Sequence, residues 1–358
     1  MEIPGSSEDK EETDQTSVLG TLIPGLPDEL AELCLLRLPF PKQSSVRTVS
    51  SSWNRAISNP YFLLCKRALS LSLPYIFVFA LDNSAATIQF HVFDPRSSRW
   101  CRLPPIPGAT CATEYVCTSL PHEGKLFVLA GSSMRIYRPF SNQWSIASPV
   151  LAPRSFVAAG TVNDKIIAVG RSGSRSSEPF VDVQSYDPKS DTWTKGAKLR
   201  TELAKHNSAV VENRLYVAEE WMWPIRSSPR GCLYDAVNDT WQDMSDGMRA
   251  GWSGGSVVLG DRLFLVLQYG DRPLKVYDPD DDTWNYVGGE MFPRDVIRRP
   301  FAVSSVEGKI YVVASGLNVA IGRVFGENNK DLCVTWELVI RPEGFCSLSP
   351  SNCQVLYA

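Results

Sequence analysis

YDPKSDTW, from Tyr186 to Trp193, and YDPDDDTW, from Tyr277 to Trp284, are near copies of one another. Each runs from an aromatic residue to a tryptophan seven positions later. The same spacing joins Phe93 to Trp100, Tyr137 to Trp144 and Tyr234 to Trp241. Asp94-Pro95, Asp187-Pro188 and Asp278-Pro279 follow three of these aromatics. Proline fixes φ, and aspartate accepts a hydrogen bond from the turn backbone, so Asp-Pro opens a tight turn. A strand therefore ends at the aromatic and a short strand begins at the tryptophan. With Trp336 the tryptophans are spaced by 44, 49, 48, 43 and 52 residues, about 47 on average. Upstream of each unit lies an apolar strand led by a basic residue, at Lys125, Lys165, Arg214, Arg262 and Lys309. Another short strand precedes it, as at Ser208 and Ser256, giving four strands per period.

A four-stranded unit cannot bury both faces alone, and radial stacking into a propeller solves this. Six anchors, Trp100, Trp144, Trp193, Trp241, Trp284 and Trp336, give six blades over residues 75–358. None of these tryptophans is followed by Asp, which sets the repeat apart from the WD type. The pattern resembles the kelch repeat, with that family's Gly-Gly doublet reduced to Ala130-Gly131 and Val169-Gly170. The sixth unit is degenerate, because Phe325 stands eleven residues before Trp336. The first unit begins at Tyr75 with no innermost strand before it. The strand-like end, Cys353 to Ala358, is expected to supply that strand and close the ring.

Residues 21–70 follow a helical period instead. Leu26, Leu30, Leu33 and Cys34 recur at helical spacing, Pro27 suits a first helical turn, and Asp28 and Glu29 suit its positive end. Pro39 and Pro41 are expected to stop this helix. Ser44 to Val49, Ser51 to Ser58 and Asn59 to Leu69 read as further short helices. A module of about 45 residues buries little surface alone and should dock on something larger.

The run Leu26-Pro27-Asp28-Glu29-Leu30, then Leu35 and Leu38, then Val46 to Trp53, resembles an F-box. That resemblance implies binding to a Skp1-like adaptor, and through it a cullin, by Leu26, Pro27, Leu30, Val49 and Trp53. The plainer reading of Trp53 is a residue filling the module's own core. Beyond the tail, the chain is similar to plant F-box/kelch-repeat proteins of the attenuated far-red response type. The resemblance implies a mainly β protein, a six-bladed propeller preceded by a small helical F-box. It would act as substrate receptor of a Skp1–cullin–F-box ubiquitin ligase in phytochrome A light signalling, with no catalytic residue and no cofactor. A kelch interaction scaffold working without the ligase is the alternative, and a propeller enzyme a third.

The 358 residues carry 44% hydrophobic and 21% charged side chains and a net charge of −3. Residues 1–20 hold six acids against Lys10, and read as a disordered acidic tail. The body is then near +2, which argues against a broad nucleic-acid footprint. No apolar run approaches the ~18 residues of a membrane span, and the N-terminus lacks a signal-peptide pattern. Nine cysteines, none in a Cys-x-x-Cys pair, fit buried thiols in a reducing, intracellular compartment, nucleus or cytoplasm. His91, His122 and His206 share no motif, and the Asp278–Asp282 run lacks the glycine and distal glutamate of a calcium loop, so no metal site is expected.

In a propeller the loops joining the second and third strands of a blade, and those between blades, open on one face. That face collects Arg171, Arg175, Trp221, Trp223, Arg226, Arg230 and Trp252, and further Arg294, Arg298 and Arg299. Trp and Arg dominate binding hot spots. These residues are the candidate surface for a protein substrate carrying an acidic or phosphorylated segment. The plainer reading packs the tryptophans under their own loops and pairs the arginines with neighbours such as Glu219 and Asp295.

Overall fold

In the computed structural model, residues 21–108, 115–151, 154–172, 181–199, 206–219 and 230–358 are described. The acidic tail, Arg175, Trp221, Trp223 and Arg226 lie outside them. Six sheets form the blades of a propeller, each with four antiparallel strands in simple order, and the sheet of blade 6 gains a fifth, parallel strand at Gly288–Gly289. Strands within a blade are termed a to d from the channel outward. Blade 2 is typical, with Val116–Leu120, Lys125–Ala130, Ser133–Arg138 and Gln143–Ile146. Blades 3, 4, 5 and 6 occupy 154–199, 206–243, 255–286 and 302–339. In blade 1, strand a is Leu348–Tyr357, which pairs antiparallel with strand b, Pro74–Asp82. The far end of the chain thus closes the ring.

The repeated aromatic and tryptophan are direct cross-strand partners on strands c and d. Phe93 faces Trp100, Tyr137 faces Trp144, Tyr186 faces Trp193, Tyr234 faces Trp241 and Tyr277 faces Trp284. The aspartate after the aromatic caps the turn as its sequence suggests. Asp187 Oδ1 accepts from the Lys189 amide at 2.8 Å, and Asp235 Oδ1 from the Val237 amide at 2.9 Å. Blade 6 departs from the rule. Trp336 lies opposite Gly322, where a Cβ would come within 2.8 Å of its ring, and it packs edge-on against Phe292.

A second polar residue, two before the tryptophan, joins one blade to the last. Asn142, Asp191, Asp239 and Asp282 all have φ near +50°, a region asparagine and aspartate tolerate better than most. Each accepts the tyrosine hydroxyl of its own blade, at 2.6, 2.7, 2.5 and 2.7 Å. The three aspartates also accept amides of the segment leaving the preceding blade: Ser148 at 2.9 Å, Ala197 at 2.6 Å, and Gly247 and Met248 at 2.8 and 3.0 Å. The tryptophan indoles donate to carbonyls of those same segments. Trp144, Trp193, Trp241 and Trp284 reach Pro104, Ser148, Ala197 and Met248 at 2.9–3.2 Å. The Ser245 and Tyr277 hydroxyls hold the Asp282 carboxyl near a pKa of about 2.

Toward the channel the joint is made by small hydroxyls. Thr161, Ser256 and Ser305 donate to the Ser119, Ser208 and Val258 carbonyls of the neighbouring inner strands, at 2.6, 2.8 and 2.6 Å. Between the two sets lie six apolar clusters, one at each blade interface.

The N-terminal module has four helices: α1 (Asp28–Leu36), α2 (Phe40–Val46), α3 (Ser51–Ser58) and α4 (Pro60–Ala68). Pro41 does not merely stop α1. It occupies the first turn of α2, where its missing N–H costs nothing, so α2 begins four residues before the expected Ser44. A six-residue helix, α5 (Asp246–Gly251), joins blades 4 and 5.

Removing residues 353–358 deletes buried Cys353, Leu356 and Ala358 and reopens two strand edges. The melting temperature, followed by tryptophan fluorescence, should fall by more than about 10 °C; an unchanged melt would contradict the closure. Tyr234→Phe removes one hydroxyl–carboxylate bond and should cost about 1.5–3 kcal/mol in denaturant unfolding. A change within error would show that this bond within blade 4 is not a stabilising one.

Candidate functional site

Two surfaces on opposite sides of the molecule carry exposed large side chains. The first belongs to the helical module. Leu35, Leu36, Ile57 and Phe62 form its core, with Leu33, Val46 and Trp53 packed around them. The indole of Trp53 donates to the Leu22 carbonyl, and its amide bonds the Ser50 hydroxyl that caps α3 at 3.1 Å. Trp53 is half-buried and already engaged within the module. Leu26 is half-buried and Pro27 exposed. Leu30 and Val49 stand 49% and 62% exposed. Tyr61 and Leu64, one turn apart on α4, are equally exposed at 66% and 54%. Their i, i+3 spacing is visible in the sequence.

The module is seated on the propeller. Phe40 is 1% exposed and enters the cluster between blades 1 and 2, with ring centroids 5.5 Å from Tyr75 and 5.7 Å from Phe77. Its amide donates to the Tyr75 hydroxyl at 3.2 Å. Arg47 Nη2 donates to the Phe140 carbonyl. The Leu63 side chain abuts Gly124, whose φ of +58° and 3.2 Å clearance favour glycine. Phe140 lies in a c–d turn and Gly124 in an a–b turn, so the module covers the face opposite the b–c and blade-linking loops. Lys66, 2% exposed, donates to the Leu38 carbonyl at 3.2 Å, and burial lowers its pKa to about 8.

The second surface is the face of b–c and linking loops. At its centre opens a channel of about 710 Å³. Inner strands of all six blades line it, among them Cys117, Ala158, Ser208, Ser256, Ala302 and Asn352, and none of its lining side chains among the described residues is charged. Of the residues assigned to this face, Trp252 is not on it. It is 1% exposed, edge-on to Trp284 with centroids 5.9 Å apart, because α5 turns the linking segment inward. Arg230 is present but committed: its Nε and Nη2 grip both oxygens of Glu219, at 3.2 and 2.7 Å. Arg171 continues strand b of blade 3, paired with Val181. Further exposed residues of the described part of the face lie in 267–273 and 287–301. Tyr269 and Met291 are 69% and 66% exposed, and the Arg299 guanidinium lies 4.0 Å from the Tyr269 ring centroid.

The histidines have structural surroundings. His91 is buried beside Phe345 and bonds Gln89 at 3.0 Å, and burial lowers its pKa to about 4. His122 stacks on Tyr357 in another blade. Among the described residues no group of three His, Cys, Asp or Glu could hold a metal ion, and no helix is long and apolar enough to cross a membrane.

Comparison with known proteins matches both parts of the chain. The F-box domain profile matches residues 23–65 and the kelch motif profile matches 153–200. Over 344 residues the chain is 46% identical to F-box protein AFR of Arabidopsis thaliana, covering 94% of this chain and 92% of that one. The chain belongs to the F-box/kelch-repeat family. Another F-box/kelch-repeat protein of that plant is 34% identical over 94% of this chain and 87% of its own. SKIP25, also F-box/kelch-repeat, is 25% identical over 94% and 89%. In this F-box/kelch protein the F-box and the propeller share a core through Phe40.

The seat has one testable flaw. The Lys66 penalty is fully present below about pH 8 and fades as pH rises towards 10.5, where the unfolded chain also loses its proton. Lys66→Met should therefore stabilise the protein by up to about 3 kcal/mol at pH 7, since Gln43 still satisfies the Leu38 carbonyl. The gain in denaturant unfolding should shrink steadily above about pH 8. Destabilisation at pH 7, or a pH-independent gain, would show that the ammonium is not penalised there.

Proposed function

We propose that this protein is the substrate-recognition subunit of a Skp1–cullin–F-box ubiquitin ligase. The observation that carries the reading is the exposure of Leu30 and Val49 on an F-box fastened to a propeller through Phe40. Exposed aliphatics rimmed by polar residues mark a protein interface. Leu26, Pro27, Leu30 and Val49 take the adaptor, with Trp53 and Leu22 holding the start of the module in place.

The mechanism is positioning. The adaptor side and the substrate side lie on opposite faces of one packed unit, so a bound target is held at a fixed reach from the conjugating enzyme. This raises the local concentration of target lysines, and the chain itself makes no bond. The identity with F-box protein AFR supports a role in the phytochrome A branch of light signalling. Function as a ligase-independent scaffold is the competing reading.

Leu30→Ala/Val49→Ala alters only exposed side chains and should leave the fold intact. Capture of the protein by an immobilised Skp1-like adaptor should weaken by at least about ten-fold. Undiminished capture would reject this interface, and no capture of the unaltered protein would favour the scaffold.

A further inference from the structure

One sector of the substrate-side face is built as a rigid cationic platform, in which the structure joins Tyr269, Arg272 and Met291 to the sequence-assigned Arg294, Arg298 and Arg299. Its scaffold is the pair of segments 267–273, the b–c loop of blade 5, and 287–301, the link from blade 5 to blade 6. Backbone bonds lock them together: the Phe292 amide donates to the Asp271 carbonyl at 3.0 Å, and the Phe301 amide to Gln268 Oε1 at 3.3 Å. The Ser315 amide, from the b–c turn of blade 6, donates to the Arg298 carbonyl at 2.9 Å. Beneath them Phe292, Ile297 and Phe301 are buried in the core. The platform is therefore fixed before any ligand arrives, which lowers the entropy cost of binding.

The side chains above this scaffold are of the recognising kind. Arg272, Arg298 and Arg299 are exposed. Arg272 and Arg298 have no ion pair or hydrogen bond from their guanidinium groups among the described residues. Arg299 is stacked on the exposed Tyr269 ring, which holds its fork in one plane. Arg294 reaches Asp271 only at 3.9 Å, and its Nε and Nη2 find no hydrogen bond. Four arginines stand here against three acids, Asp271, Asp295 and Glu290, the last already accepting the Trp336 amide at 2.8 Å, in a body otherwise close to neutral. This contrasts with Arg230, whose charge Glu219 cancels. Phe301, Ala302 and Val303 carry the platform to the uncharged channel mouth.

We propose that this platform, centred on Tyr269, Arg272, Arg298 and Arg299, binds a carboxylate-rich segment of the target protein. The inference rests on the substrate-receptor reading for the identity of the occupant. Planar guanidinium groups accept carboxylates in paired hydrogen bonds, and Tyr269 and Met291 give apolar contact beside them. Neutral residues flanking the acids lie across the channel mouth, whose described lining is uncharged.

The test uses the purified full chain and a fluorescein-labelled hexaglutamate peptide, with hexaglutamine as control, read by fluorescence anisotropy. Hexaglutamate should bind saturably and weaken with added salt, and hexaglutamine should not bind. Arg298→Glu/Arg299→Glu should lose at least about ten-fold in affinity. Lys189→Glu, on the c–d turn of blade 3 at the opposite face, should change it by less than about two-fold. Arg272→Glu, at an unpaired and exposed side chain, gives an independent variant should the double one fail to fold. The proposal is overturned if the unaltered chain does not bind hexaglutamate, if the platform variants bind it normally, or if Lys189→Glu loses as much as they do. Adaptor capture measured on the same preparations separates the two readings. Retained capture without peptide binding removes the platform alone, and normal peptide binding without capture removes the ligase role and leaves the platform standing.

Discussion

Everything in the propeller hangs on the joint between one blade and the next. A blade is a flat antiparallel sheet with two apolar faces, and nothing in it dictates the angle at which its neighbour packs. The angle is set where a tyrosine hydroxyl, a carboxylate at positive φ and a tryptophan indole meet the segment leaving the preceding blade. Hydrogen bonds are directional where apolar contact is not, and those to a charged acceptor are among the stronger ones. The Tyr186, Asp191 and Trp193 set makes this joint between blades 2 and 3, and Tyr234, Asp239 and Trp241 make it between blades 3 and 4. Blade 1 carries Phe93 in place of the tyrosine, and its Trp100 indole nitrogen is buried without a partner. There the latch is missing, and the paired strand from the far end of the chain takes its place.

The sequence was legible where the physics is local and repeated. The aromatic-to-tryptophan spacing is a hairpin register, and it appears in the structure as five direct cross-strand pairs. The Asp-Pro turn needs only its own four residues, and it too forms as read. What escaped was the second carboxylate of the repeat, because its meaning lies in a partner some 43 residues earlier. Trp252 was misplaced for a related reason. Loop topology gives the side of the ring on which a segment runs, and α5 then decides which way its side chain turns. The arginines of 287–301 were noted, but only tertiary contacts separate the engaged Arg230 from the unpaired Arg298.

The F-box illustrates how a small module gains stability from its surroundings. Its own core is the packing of four short helices, and none exceeds nine residues. Phe40 adds a side chain to the much larger cluster of blades 1 and 2, and Arg47 fastens α3's neighbour to the turn at Phe140. The cost is visible too, in a lysine ammonium and parts of two guanidinium groups held away from water. The module's apolar surface is thereby split, with one part consumed by the propeller and another, around Leu30 and Val49, left outward.

The ring closure also orders the events of folding. Blades 2 to 6 each assemble from a continuous stretch of chain, so their contacts are local and quick to form. Blade 1 waits for two segments to find each other across the whole propeller, with Phe79 and Ser351 separated by 272 positions. Such long-range pairing is slow, because loop-closure entropy is lost before any contact repays it. The seat for Phe40 is built from blade 1, and the backbone of Leu73 pairs with Ala358 beside it. The adaptor-binding module therefore locks into place only when the ring is whole. A chain that fails to close its propeller presents a loose F-box, and a rigid bridge between adaptor and target is a property of the completed fold alone.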